Sequence, residues 1–343
     1  MKNYQIDEVN ANILKALLKD ARTSFTEMAK QNDLSVAAVR NRYLNLKRVG
    51  VINGSIMQIN LDLIGFSCCG ILIIKVEQKN FSAVKDRLKK IPYILSTWSD
   101  SQKCTITNPF ATPDLNCFRK LIDDLKRYPL IKRLITELHE SLTITDYPEN
   151  LVIKTDKKIE PQNFKEKPYD VTAQEKTSEE SVKNRLIQTP QLMQMEAIDL
   201  KIANTLSQNA RTPFSSIAKQ VNRSTAYIIE RYKKLKESGF FIKSSITLDL
   251  EKLGYPADVL VSIKTKAGTE LTEIHKHILE IPNVIILGKV ISEYNMMAII
   301  PLESFKDLFE TKKQFGTIKG IENFQIQIIP QFPKWPINFA IPL

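Results

Sequence analysis

The 343-residue chain is short of the residues on which most site chemistry depends. It has four cysteines, Cys68, Cys69, Cys104 and Cys117, and no Cys-x-x-Cys pair. Adjacent Cys68 and Cys69 would point to opposite faces of a strand. That spacing argues against a disulfide framework or a thiolate metal knuckle. Reduced thiols acting as small hydrophobes, in a reducing intracellular compartment, are expected instead. Histidine occurs only at His139, His275 and His277. The last two lie two apart on a predicted helix, so they do not share a face as metal ligands would. No stretch approaches the roughly 18 uncharged apolar residues of a membrane span. The opening MKNYQIDEVN has no apolar run behind a basic segment, so no secretory signal is expected. A phosphate loop, a dinucleotide fingerprint and a Ser/His/Asp signature are all missing. Paired carboxylates such as Asp123-Asp124 and Glu179-Glu180 read as solvated faces. The expectation is a chain with no catalytic residue, no metal and no cofactor.

What is present is apolar bulk and positive charge. The hydrophobic fraction of 43% is enough for packed cores rather than disorder. Net charge is +11, divided as +6 over residues 1–150, +1 over 151–190 and +4 over 191–343, so the excess sits in the two ends and not between them. A basic balance of this kind is compatible with a polyanionic partner.

The chain is a repeat. Displaced by 189 residues, positions 21–50 match 210–239 at 14 of 30 places without a gap, too many for coincidence. Ala21-Arg22-Thr23 falls on Ala210-Arg211-Thr212, Ala29-Lys30-Gln31 on Ala218-Lys219-Gln220, and Arg42-Tyr43 on Arg231-Tyr232. Gly65 meets Gly254 in the same register, and Ile91-Pro92 meets Ile281-Pro282 after one inserted residue. Between the copies, residues 148–190 are charged, lack glycine and carry few apolar residues, so they read as a linker with a short helix near 178–186.

Each copy opens with three helices. Ile13, Leu14, Leu17 and Leu18 recur at helical spacing, as do Ile198, Ile202 and Leu206. Thr23 and Thr212 are candidate caps of short second helices. Asn32-Asp33 and Asn222 suit a left-handed turn residue. Ser35 and Ser224 would cap third helices that Gly50 and Gly239 stop. Two short helices, a tight turn and a capped basic helix make a helix-turn-helix, whose third helix would enter a DNA major groove. Arg40, Asn41, Arg42, Lys47 and Arg48 lie on it in copy one. Arg231, Lys233, Lys234 and Lys236 lie on it in copy two, with Arg223 before its cap. Residues 51–61 and 242–250 alternate apolar and polar as wing and linking strands would. The remainder of each copy reads β-α-β-β-α-β, the ferredoxin-like order. The apolar sheet face away from the helices then needs a second sheet to cover it.

The pattern Ile13-Leu14, Leu17, Ala21-Arg22-Thr23, Ala29-Lys30, Leu34-Ser35, Val39, Arg42, Leu46 and Gly50-Val51-Ile52, with its second copy, resembles the Lrp/AsnC regulators over nearly the whole chain except the linker. The implied fold is α+β. Winged helix-turn-helix units at 1–62 and 191–250 each precede a ferredoxin-like, RAM-type domain, at 63–147 and 251–343, and the two sheets pair within the chain. The linker is 148–190, and a Pro/aromatic tail ends the second α/β domain. The resemblance implies double-stranded DNA as partner, a transcription regulator in the cytoplasm, homo-oligomers through the α/β domains and response to an amino-acid effector. Position in the helix-turn-helix and charge make Arg22, Ser35, Arg40, Asn41, Arg42, Lys47, Arg211, Arg223, Ser224, Thr225, Tyr227, Arg231 and Lys234 the candidate DNA contacts. The family's effector loop carries a glycine and, three residues on, an aspartate. Here those positions hold Ser292 and Asn295, and in copy one Gln102 and Thr105, so neither copy keeps the pair. Two rival readings share the architecture. One is a sirohaem-decarboxylase-like enzyme, which Glu293-Tyr294-Asn295-Met296-Met297 faintly resembles. The other is a regulatory partner that binds no DNA and docks through the tail Pro330–Pro336.

Overall fold

The structure is a computed structural model that describes residues 6–144, 169–170, 193–329 and 335–336. The linker helix expected near 178–186 and most of the C-terminal tail lie outside the described residues. No helix among the described residues is long and apolar enough to cross a membrane.

Copy one begins with α1 (Glu8–Lys19), α2 (Phe25–Gln31) and α3 (Val36–Arg48), followed by strand β1 (Ile52–Ile59). Copy two repeats this as α6 (Ala197–Gln208), α7 (Phe214–Gln220), α8 (Thr225–Glu237) and β7 (Phe241–Leu248). The helices start where short polar side chains satisfy their first free N–H groups. Asp7 accepts from Asn10 N at 2.7 Å, Ser35 from Ala38 N at 3.1 Å and Ser224 from Tyr227 N at 3.2 Å. The cap of α2 is Ser24, not Thr23, whose hydroxyl turns back to Asp20 O; Pro213 holds the equivalent place before α7. Gly50 and Gly239, at φ 83° and 76°, end the third helices in the left-handed region that glycine enters without strain.

Ile13, Leu14, Leu17, Ile202 and Leu206 are fully buried, each contributing about 2 kcal/mol of apolar burial. They belong to one cluster that includes both helix-turn-helix units, so the two do not have separate cores. The reason is strand pairing. β1 does not fold back into a wing within its own copy; it pairs antiparallel with β7 of the other, Ser55 opposite Ile246 and Met57 opposite Ser244. Trp335, 1% exposed, adds a bridge to this ribbon: its backbone N–H donates to Leu248 O at 3.0 Å and its carbonyl accepts from Leu248 N at 2.6 Å.

The α/β part of copy one comprises β2 (Cys68–Val76), α4 (Phe81–Leu88), β3 (Trp98–Asp100), β4 (Thr105–Thr112), α5 (Leu115–Lys126) and β5 (Ile131–Ile144). A two-residue strand β6 (Tyr169–Asp170) pairs with the end of β5. Copy two has β8 (Ala257–Thr265), α9 (Leu271–Leu279), β9 (Ile286–Ile291), β10 (Met296–Leu302), α10 (Phe305–Thr317) and β11 (Ile321–Ile329). Within each copy the order is last, first, third, second, as the ferredoxin-like reading requires. The expected pairing of sheets within the chain is present, but through their edges: β5 runs antiparallel to β9, with His139 opposite Val290 and Thr143 opposite Leu287, giving one continuous sheet. Alternation then divides the strands of copy two. Leu287, Met296, Ala298 and Ile300 face the helices, while Ile286, Val290, Met297 and Ile299 join the helix-turn-helix cluster.

Copy one carries buried polarity at places that are apolar in copy two. Asn108 on β4 is 0% exposed, and neither its amide oxygen nor its nitrogen has a hydrogen-bond partner. Ser96 and Thr97, opposite it where the register between β3 and β4 slips, also have unpartnered hydroxyls. The corresponding residues of copy two, one insertion further on, are Ala298, Ile286 and Leu287. An unpaired buried amide costs its desolvation with no return. Asn108→Leu should therefore raise stability by about 1–2 kcal/mol in urea denaturation; a lower midpoint would mean the amide is satisfied in solution. His139 sits at the β5–β9 seam with Nε2 buried and unpartnered, and desolvation pulls its pKa down to about 4. Between that value and the ordinary 6.5, the unfolded chain binds more protons, so stability falls as pH drops through this window. His139→Leu should lose less stability than wild type between about pH 7 and pH 5. Equal losses would show that His139 titrates normally.

Candidate nucleic-acid interface

The two turns that aim the third helices are alike. Asp33 and Asn222 adopt φ 52° and 51°, the left-handed geometry a short Asx residue tolerates. The following Ser35 and Ser224 set the start of α3 and α8. Val39 and Leu46 bury the inner side of α3, and Ile228 and Leu235 bury that of α8. The opposite stripe is exposed at its first, second, fifth, sixth and ninth positions: Val36, Ala37, Arg40, Asn41 and Leu44 in copy one. Copy two presents Thr225, Ala226, half-buried Ile229, Glu230 and Lys233. Val36 and Leu44, 44% and 49% exposed, are large apolar side chains left in solvent on a basic helix. Val36, Ala37, Arg40 and Asn41 lie in the N-terminal half of α3, the part of a recognition helix that meets base edges in a major groove.

The residues expected to touch DNA divide into two groups. Arg40, Asn41, Lys47, Arg223, Thr225 and Lys234 are exposed, Lys47 with its amine 5.9 Å from the Tyr43 ring and Lys234 paired to Glu230 at 3.1 Å. Ser35 and Ser224 are exposed caps, and Tyr227 is half-buried against the shared core. Arg22, Arg211, Arg42 and Arg231 are turned inward instead. Leu44, Ile229 and Glu230 escaped a reading based on positive charge alone. Their signal is the helical stripe they share with Arg40 and Asn41, which a burial pattern makes visible.

Arg22 and Arg211 form a reciprocal clasp across the ribbon. Arg22 donates to Ala210 O and, at 3.2 Å, to Thr212 O, and lies 4.0 Å over the Phe214 ring. Arg211 donates to Ala21 O and, at 3.4 Å, to Thr23 O, and lies 5.0 Å over Phe25. Each guanidinium caps the other copy's aromatic pair, Phe25–Tyr43 or Phe214–Tyr232. Burial pulls the Arg22 guanidinium below its ordinary value. A second reciprocal set flanks the clasp. The Ser55 hydroxyl donates to Asn209 at 2.7 Å and the Ser244 hydroxyl to Asp20, the same two positions exchanged.

Arg42 and Arg231 tie each third helix to the first. Arg42 donates to Asp7 at 2.6 Å and to Asn10 at 3.1 Å. Arg231 makes a forked pair with Asp199 and reaches Glu196 at 2.7 Å. Asp199 is 1% exposed, and its hydrogen bond holds the Arg231 guanidinium above its ordinary value. For Asp7, burial pushes upward, but the hydrogen bonds from Arg42 and Asn10 N–H together with the Arg42 charge outweigh it, and the carboxyl lies below its usual range.

The positions implied for an effector are engaged locally. Asn295 accepts from Thr265 N at 3.1 Å and donates to the Thr265 hydroxyl at 2.7 Å, while Ser292 donates to Tyr294 O at 2.7 Å. No group of His, Cys, Asp and Glu among the described residues could hold a metal ion.

Two helix-turn-helix units clasped above one ferredoxin-like sheet are the build of a helix-turn-helix regulator. The AsnC-type helix-turn-helix domain matches residues 6–47 and again 195–236. The chain thus carries the AsnC-type helix-turn-helix twice and is similar to regulators of the Lrp/AsnC family, consistent with a tandem duplication. It is 28% identical over 142 residues to an uncharacterised HTH-type transcriptional regulator of Pyrococcus horikoshii, spanning 95% of that protein but 41% of this chain. The HTH-type transcriptional regulator FL11 of the same organism is 27% identical over 135 residues, 89% of its length and 39% of this chain. The crystal structure of the sirohaem decarboxylase NirDL shares the fold over 97% of this chain and 94% of its own, with a TM-score of 0.59 and 13% identity.

The two arginine ties should respond differently to mutation. Arg231→Ala strands a buried carboxylate and should cost about 3–5 kcal/mol. Arg42→Ala removes a half-exposed pair and should cost about 1 kcal/mol or less. Chemical denaturation of both variants measures the contrast, and equal losses would overturn this account of Asp199.

Proposed function

We propose that the chain is a sequence-specific, double-stranded-DNA-binding regulator in the cytoplasm that works as a covalent pseudo-dimer. In this reading the helix-turn-helix units (1–62 and 191–250) bind DNA, and the α/β units (63–147 and 251–343), joined by the 148–190 linker, hold them together. It has no catalytic activity of its own. The observation that carries the reading is the pair of exposed recognition stripes, one per copy, held by a clasp with approximate two-fold symmetry. A dimer of separate chains would need two recognition helices spaced by a helical turn or a multiple of it; here the ribbon and clasp provide the pairing within one chain. Further assembly through the α/β units and response to an amino acid are extensions of the same reading. An effector at Ser292 and Asn295 would have to replace their present hydrogen bonds.

DNA contacts in this reading come from Arg40, Asn41, Lys47 and, in copy two, Arg223, Thr225 and Lys234. Neutralising phosphates makes log affinity fall linearly with log salt, and removing one cation from the phosphate backbone flattens the slope by roughly one unit. Fluorescence anisotropy with duplex DNA across a salt series should therefore show weaker binding and flatter slopes for Arg40→Ala/Lys47→Ala and for Arg223→Ala/Lys234→Ala. If folded wild type binds no duplex at low salt, the regulator reading fails. Soret absorbance after incubation with an iron tetrapyrrole then tests the enzyme reading that shares the fold.

A further inference from the structure

The two copies are an internal comparison. Within positions 21–50 and their counterparts, one of the five stripe positions is identical, against thirteen of the other twenty-five. Among positions 21–50 and their counterparts, the identical residues include Ala21, Arg22, Thr23, Phe25, Ala29, Ser35, Arg42, Tyr43 and Leu46. These form the clasp, the caps, the helix ties and the shared core described above. Of the five stripe positions, only Ala37 and Ala226 are the same. Val36 faces Thr225 across the repeat, Arg40 faces Ile229, Asn41 faces Glu230 and Leu44 faces Lys233. The framework that places the helices was kept, and the side chains they present were exchanged.

The exchange changes the chemistry. The first stripe offers a guanidinium and a carboxamide, flanked by exposed Val36 and Leu44. Arginine pairs bidentately with guanine O6 and N7, asparagine with adenine N6 and N7, and apolar side chains meet the thymine methyl. At the place of Asn41, the second stripe offers the Glu230 carboxylate, which only accepts hydrogen bonds. A carboxylate at a base edge suits the N4 amino group of cytosine. Its partner Lys234 is no obstacle, because both side chains are more than half exposed and such helix pairs are weak. The charge of the two faces differs in the same sense. Arg40, Lys47 and Arg48 are exposed on α3 with no acidic residue among them, whereas Glu230 and Glu237 interrupt Lys233, Lys234 and Lys236 on α8.

We propose that the two heads read chemically different half-sites. The first uses Arg40 and Asn41 on guanine- and adenine-bearing edges. The second uses Glu230 on a cytosine amino group. The operator is therefore non-palindromic and fixes the direction in which the chain lies on DNA. This rests on the regulator reading above and deepens it.

Selection from a randomised duplex pool tests it. Wild type should enrich a site with two unlike halves. Glu230→Gln, a change on an exposed side chain, should lower discrimination at one base of one half by roughly ten-fold or more and leave the other half untouched. Giving the second head the first stripe, by Thr225→Val, Ile229→Arg, Glu230→Asn and Lys233→Leu, should convert the selected site into a palindrome of the first half-site. A palindrome selected by wild type, or a second half-site unchanged by these replacements in a protein with wild-type circular dichroism, would overturn the asymmetry while leaving the regulator reading intact. No enrichment of any duplex by folded wild type would overturn both.

Discussion

Everything about the helix-turn-helix half of this molecule depends on the exchange of β1 and β7. Neither strand forms a hairpin in its own copy, so each needs the other to satisfy its backbone. Once they pair, the two helix-turn-helix units share one apolar cluster, and the helices above can only sit where the ribbon puts them. The arginine clasp follows from that placement. A planar cation with several donors can lie on an aromatic ring and still reach two carbonyls, a geometry lysine cannot reproduce. Arg22 and Arg211 each do this in the opposite copy, so the relation between the recognition helices is set from both sides.

The sheet below repeats the principle at a second level. β5 and β9 would each be an open edge, and edges invite pairing with other chains. Joining them within the chain closes one edge of each copy. Copy one leaves buried polar atoms of Asn108, Ser96, Thr97 and His139 unpartnered, and of these four only His139 lies at the seam. Copy two is apolar at the first three of these places. Copy one thus combines these unpartnered groups with the third helix that has no acidic residue.

One repeat spans nearly the whole of a relative such as the Pyrococcus horikoshii regulator. The fold of the whole chain, both repeats included, recurs in the sirohaem decarboxylase NirDL at low identity. A two-repeat body of this kind is thus a frame, and function resides in what the frame presents. Here that is a pair of exposed helical stripes.

The repeat, the helix-turn-helix and the order of strands were legible in the sequence because they are local. Helical spacing marks Ile13, Leu14 and Leu17, a short Asx residue marks the turn at Asp33, and serines mark the caps of α3 and α8. Charge, too, was legible, but not its direction. Arg22, Arg42, Arg211 and Arg231 look like DNA contacts as long as only their sign is known. Which of them faces solvent depends on partners far away in the chain, among them Asp7, Asp199 and the carbonyls of the other copy. Strand pairing had the same limit. The alternation at 51–61 and 242–250 predicts strands, but a period of two does not name a partner. Local chemistry thus set the elements and their duplication. Long-range packing settled which copy each strand completes, and with it which arginines hold the frame and which are left outward for a ligand.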